Sequence, residues 1–139
     1  VKLKYLDEWN EARRKAAASF EKRLQPLPVV TPKTAVWAEP VHHLYVVRLE
    51  NRADLQEALQ EAGVATGLHY PIPIHAQPAF AELGYKQGDF PITEQYAEEI
   101  LSLPIFPELD EAAVAYIVDQ MQSFFSEGVT TEEMAVPSP

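Results

Sequence analysis

Two proline clusters limit where regular structure can form in this chain. "QPLPVVTPKTAVWAEP" (residues 25–40) carries four prolines, and "GLHYPIPIHAQPAF" (residues 67–80) carries three, at 71, 73 and 78. Each proline fixes φ and removes an N–H, so neither segment suits a helix interior or a central strand. The first reads as an extended connector that ends the helix before it. The second is a rigid turn holding two histidines and a tyrosine, an arrangement that presents side chains.

Periodic patterns occupy the rest. From Val1 to Leu24, Leu3, Leu6, Arg13, Ala16, Ala17, Phe20 and Leu24 recur at spacings of three and four, with Trp9 beside them and charges on the other faces. That spacing predicts one long leading helix over 1–25, followed by the connector over 26–40. No capping residue precedes Leu3, so the domain is expected to start upstream of residue 1. "VHHLYVVRLE" (residues 41–50) is rich in β-branched and aromatic residues and predicts a strand. His42 and His43 are consecutive in it and are expected on opposite faces, at least one of them exposed and inert. Arg48, in the same strand, reads as solvated or paired with a carboxylate.

"NRADLQEALQEAG" predicts a short helix capped by Asn51 or Asp54, with Leu55, Leu59 and Ala62 inward and Gly63 as its stop. "VATGLHY" reads as a second strand entering the proline turn, and "QPAFAEL" as a helical turn closed by Gly84. A helix is expected from a Thr93 cap to Leu101, with Tyr96, Ile100 and Leu101 on one side. Asp110 is expected to cap a last helix, whose stripe Val114, Ile117, Val118, Met121 and Phe125 reads as core. The folded domain then covers 1–127, and the tail over 128–139 is expected to be disordered. Strand, helix, strand and further helices argue an α+β or two-layer α/β domain with a small sheet.

A chain of 139 residues fits one domain, and 47% hydrophobic with 23% charged residues is the balance of a globular protein. No apolar run is long enough to span a membrane, and residues 1–14 are too charged for a signal peptide. Zero cysteines exclude disulfides, thiolate metal ligands and a cysteine nucleophile, and fit a cytoplasmic location. The net charge is −10, with seven Lys/Arg against four Asp/Glu in residues 1–23 and four against seventeen thereafter. So acidic a body repels phosphate backbones and argues against nucleic-acid binding. The basic first segment reads as a solvated helix face.

Several chemistries are missing. The five glycines form neither GxGxxG nor a Walker loop, and no serine sits in GxSxG. His69 and His75 lie six residues apart, which is not helical zinc-pair spacing, and a third ligand would have to be Asp89 by default. A satisfied or substrate-facing role suits these histidines better than a metal. "HYPIPIH" has groups that can hold a polar ligand at the edge of a cleft. It can equally be a rigid corner whose rings fill a surface gap, and the residues alone leave both readings open.

The longer pattern resembles a known family. "HHLYVVRLENRADLQEALQEAGVATGLHYPIPIHAQPAF" followed by "GDFPITEQYAEEILSLPIFPELDEAAVAYIVDQM" is similar to the C-terminal part of the DegT/DnrJ/StrS aminotransferases. The ordered matches include Arg52, Asp54, Leu55, Leu59, Gly63, Tyr70, Pro71, Pro73, His75, Gln77, Phe90, Pro91 and the run Leu101–Pro104. "LDEWNEARRKAAASFEKRL" resembles the preceding helix, so the similarity covers about Val1 to Phe125.

The resemblance implies the small α+β C-terminal domain of an aspartate-aminotransferase-type fold, with a mainly antiparallel sheet packed against helices. It implies a pyridoxal-phosphate enzyme that aminates nucleotide-linked keto sugars, with glutamate as amino donor, acting as a homodimer. In that family the cofactor lysine and phosphate cup come from a larger N-terminal domain, so no catalytic or cofactor-binding residue is assigned to this chain. His69 and Tyr70 match positions expected to line the sugar pocket, and His75 a histidine of the same turn with a supporting or contacting role. A non-enzymatic binding module derived from this fold is the alternative, and a small histidine metalloprotein a third reading. Trp9, Trp37 and Phe106 are candidates for an apolar face that normally packs on the larger domain.

Overall fold

A computed structural model of the protein describes residues 1–133, with side chains over residues 1–126. After a 3-10 turn at Lys2–Tyr5 come α1 (Leu6–Leu24), β1 (Tyr45–Arg48), α2 (Arg52–Glu61), α3 (Pro91–Glu99), β2 (Ile100–Leu103) and α4 (Glu111–Glu133). Two further 3-10 segments, Ile74–Ala76 and Pro78–Leu83, lie between α2 and α3.

The architecture is α+β. β1 and β2 pair antiparallel, Tyr45 opposite Leu103 and Val47 opposite Leu101. Single antiparallel bridges flank this ladder, Val30 to Arg48 on one side and Gly67 to Ser102 on the other. The connector and the proline turn thus each lend one residue pair to the sheet. Around Val30, the prolines at 28 and 32 limit further pairing.

The core forms where the helical stripes meet the sheet. Ala16, Ala17, Phe20 and Leu24 of α1, Leu55 and Leu59 of α2, and Val114, Ile117, Val118 and Met121 of α4 are buried together with Tyr45, Val47, Leu101 and Leu103. Phe20 stacks on Tyr45 with ring centroids 5.1 Å apart. Phe125, the last residue of the expected stripe, packs partly buried against this cluster. Arg23 of α1 reaches Glu111 at the start of α4, and Tyr116 donates its hydroxyl proton to the Ala62 carbonyl at 2.9 Å. Asp110 caps α4, its Oδ1 accepting the Ala113 N–H at 2.8 Å. Gly63 and Gly84 close their helices with φ of 77° and 75°, the left-handed geometry that favours glycine.

Some expectations need correction. The leading helix buries only its second half: Leu3 is 79% and Leu6 41% exposed, because the cluster that receives the stripe begins at Ala16. The strand expected over 41–50 is confined to Tyr45–Arg48, since His42 takes φ 48° and breaks the extended run. His42 and His43 therefore lie outside the strand, and its alternation does not set their exposure. "VATGLHY" is not a strand beyond its one bridge. The partner of β1 is Ile100–Leu103, whose first two residues were expected to finish a helix. That helix instead starts at Pro91 with Phe90 as its N-cap and stops at Glu99, so Thr93 is inside it. Here pairing to the open edge of β1 overrides a helical pattern. α4 passes Gly128 and continues to Glu133, a glycine in a helix interior costing only about 1 kcal/mol. The rest of the tail, 134–139, lies outside the described residues.

Candidate substrate-binding site

The proline turn is anchored at two separate points. His69 Nδ1 lies 2.9 Å from the Ser102 hydroxyl of β2. Tyr70 follows through a cis peptide, its ring edge-on to His69 at 5.5 Å and its surface 72% exposed. His75 bonds a different element. Its Nε2 lies 3.0 Å from Glu94 Oε1 of α3, and its side chain is only 8% exposed. The two histidines thus belong to different elements. His69 and Tyr70 stand together at the surface, whereas His75 is folded in beneath the loop.

Glu94 gathers that loop. Its two oxygens accept the Gly88 N–H at 2.9 and 2.8 Å, and Oε1 also accepts the Phe90 N–H at 3.4 Å. Phe90 packs against His75 at 4.7 Å and against Tyr85 at 5.0 Å. A cleft of about 240 Å³ opens beside them, lined by Pro71, Pro73, His75, Tyr85 and Lys86. A larger groove, about 540 Å³, includes Arg48 and Glu99 in its walls. There Arg48 bonds Glu99 at 2.9 Å and covers the Tyr96 ring at 3.7 Å. Its charge is met within the fold, as the carboxylate-paired reading of Arg48 has it.

The Gly88 amide, then the Phe90 amide and His75, hold the Glu94 carboxyl below its ordinary value of 4.5 against an opposing desolvation. A carboxyl lowered in the folded state favours folding while ionised. That contribution is complete above 4.5 and is lost as pH falls through the lower, folded value. The Gly88 amide proton should therefore shift upfield and its protection fall in acid, with Glu94→Gln reproducing much of the change at neutral pH. A Gly88 resonance unmoved from about pH 5 to about pH 2 would show that Glu94 does not hold this loop.

Pyridoxal phosphate is held covalently by a lysine that sits neutral in a desolvated pocket. Lys2, Lys4, Lys15, Lys22, Lys33 and Lys86 are all exposed. Among the described residues none of these lysines has the buried surround that such a lysine needs. Among the described residues no three His, Asp or Glu side chains come together as a metal would need. Asp89, the default third ligand, instead accepts the Lys86 N–H at 2.8 Å.

Glu94 and Ser102 carry no role in the sequence reading. "FPITE" did hold a signal for Glu94, since proline at the first helical position with an acid in the first turn marks an anion next to free N–H groups. Nothing local in "LSLP" shows what its serine bonds.

Comparison with known proteins bears on the whole domain. The profile of the DegT/DnrJ/EryC1/StrS aminotransferase family matches residues 1–122. A pleiotropic regulatory protein of Geobacillus stearothermophilus is 45% identical over 128 residues, covering 90% of this chain and 34% of that protein. The dTDP-3-amino-3,4,6-trideoxy-alpha-D-glucose transaminase of Streptomyces venezuelae is 37% identical over 125 residues, covering 89% of this chain and 33% of its own length. The crystal structure of S. venezuelae DesV in complex with a ketimine intermediate superposes with a TM-score of 0.85 at 37% identity, covering 88% of this chain and 33% of that one. The chain spans about a third of the length of the curated relatives it matches.

Proposed function

Because the chain belongs to the DegT/DnrJ/EryC1/StrS aminotransferase family, we propose that it is the C-terminal domain of an enzyme that transfers an amino group to a nucleotide-linked keto sugar. The observation that carries this reading is the match over residues 1–122 in a chain a third as long as its relatives. Amino-sugar or polysaccharide biosynthesis is the process it would serve, in the cytoplasm, with glutamate as donor. No helix among the described residues is long and apolar enough to cross a membrane.

Pyridoxal phosphate would supply the electron sink for amino transfer, held by a larger N-terminal domain. This chain's part is to bind and orient the sugar. His69, with Nδ1 held by Ser102, offers its Nε2 and Tyr70 its phenol to sugar oxygens, and Pro71 and Pro73 hold them with little ordering cost on binding. His75 supports the turn from below through Glu94. Trp37, 87% exposed, and Phe106, 44% exposed, are assigned to contact with the larger domain. Trp9, half-buried, is the third candidate for that contact. A homodimer completes the assembly.

The protein expressed with its upstream sequence should convert a dTDP-linked 3-keto sugar and glutamate to the amino sugar, read by mass spectrometry. The 139-residue chain alone, incubated with pyridoxal phosphate and borohydride, should label no single lysine. Stoichiometric labelling of one lysine would overturn the division of labour. The name of the Geobacillus relative favours a second reading, a non-enzymatic module of this fold. A longer protein that binds no pyridoxal phosphate would select it.

A further inference from the structure

Ser102 is the one polar residue among the described residues to be buried, at 4% exposure, and its position is unusual. It sits in β2 opposite the start of the proline turn. Its N–H donates to the Gly67 carbonyl at 2.8 Å, and its carbonyl accepts the Gly67 N–H at 3.1 Å. Its hydroxyl then meets His69 Nδ1 at 2.9 Å. One residue thus ties both the backbone two positions before His69 and the His69 ring itself.

A serine hydroxyl carries one proton, and a buried O–H without an acceptor bears the full cost of its lost water. His69 Nδ1 is the hydroxyl's hydrogen-bond partner among the described residues. We infer that Ser102 donates its hydroxyl proton to His69 Nδ1, which leaves the ring proton on Nε2 and makes Ser102 the positioning residue that presents His69 as a hydrogen-bond donor. The ligand group it recognises is then an acceptor oxygen, a sugar hydroxyl or carbonyl. This assignment of an acceptor on the sugar rests on the function proposed above; the tautomer itself does not.

Gly67 completes the arrangement. A Cβ there would stand 2.8 Å from His69 Cε1, so the ring lies over the backbone at a distance glycine alone permits. Its φ is not among the positive ones, so alanine can adopt the backbone and would act through the ring. Gly67→Ala is therefore a second, steric way to disturb His69 without touching Ser102.

Long-range proton–nitrogen correlation on the imidazoles of the 139-residue chain reads the tautomer directly, at a pH of about 8.5 where histidine is neutral. His69 should show a protonated Nε2 and an unprotonated, hydrogen-bonded Nδ1. In Ser102→Ala the Nδ1 resonance should move towards that of a free imidazole while His75 stays put. A protonated Nδ1 in the parent chain, or a His69 spectrum unchanged in Ser102→Ala, would overturn the inference. In the longer enzyme, Ser102→Ala and Gly67→Ala should each slow the keto-sugar half-reaction about tenfold, the scale of one misdirected hydrogen bond, and spare the glutamate half-reaction. Adding Ser102→Ala to His69→Ala should cost nothing further; additive losses would show that Ser102 acts by another route. If the tautomer is as stated but His69→Ala leaves the sugar step untouched, the positioning stands and the sugar-site reading falls.

Discussion

Phe20→Ala should remove about 3–5 kcal/mol from the stability of this domain, the range for deleting a fully buried aromatic ring. Phe20 is 0% exposed and lies between α1 and the sheet, stacked on Tyr45 with its plane 24° from parallel. Its loss removes the transfer energy of the ring and leaves a cavity that the flanking Ala16 and Ala17, too short to reach across, do not fill. A single domain has only about 5–15 kcal/mol in all, so the variant should sit near its unfolding threshold. Urea titration should show the midpoint falling with little change in slope. Leu3→Ala is the comparison. It belongs to the same apolar spacing but is 79% exposed, and should change stability by no more than about 0.5 kcal/mol. Equal losses in the two variants would mean that α1 does not pack on the sheet through its second half.

His69→Ala and Tyr70→Phe in the longer enzyme should slow the keto-sugar half-reaction, each by about 2 kcal/mol if a buried partner group is left unpaired, or roughly thirtyfold. Under the proposed function this change falls on the sugar half-reaction. The proposed donor, glutamate, is smaller than a nucleotide sugar, so its half-reaction should suffer less, and cofactor loading should be unaffected. His75→Ala should differ in kind. It takes a partner from Glu94 and a ring from Phe90, so it should loosen the 84–90 loop and lower thermal stability along with activity. His43→Ala is the control. Exposed and outside β1, it should change neither stability nor turnover. Single-turnover assays, one per half-reaction, separate these outcomes. Equal losses in both halves for His69→Ala would reduce the turn to a rigid corner.

The core was legible where burial follows helical period. Ala16, Ala17, Phe20, Leu24, Leu55, Leu59, Val114, Ile117, Val118 and Met121 are all inside, as their spacing of three and four requires. The Asp110 cap and the Gly63 and Gly84 stops were legible too, because caps and left-handed residues are local chemistry. The sheet was read only by half. "YVVR" is a strand by composition, but Ile100 and Leu101 extend the helical pattern of α3, and only the open edge of β1 makes Ile100–Leu103 its partner. Nothing local distinguishes those two fates.

By itself the sequence determined which segments could be helical, where prolines forbid regular structure, and that His69, Tyr70 and His75 share one rigid turn. Those properties follow from backbone dihedrals and from side-chain spacing, which act over a few residues. Tertiary structure alone decided that the two histidines part company, one to Ser102 33 residues on and the other to Glu94 19 residues on. A side-chain hydrogen bond has a reach of about 3 Å whatever the distance along the chain. Its partner is therefore chosen by the packing of β2 and α3 beside the turn, which no short stretch of sequence encodes.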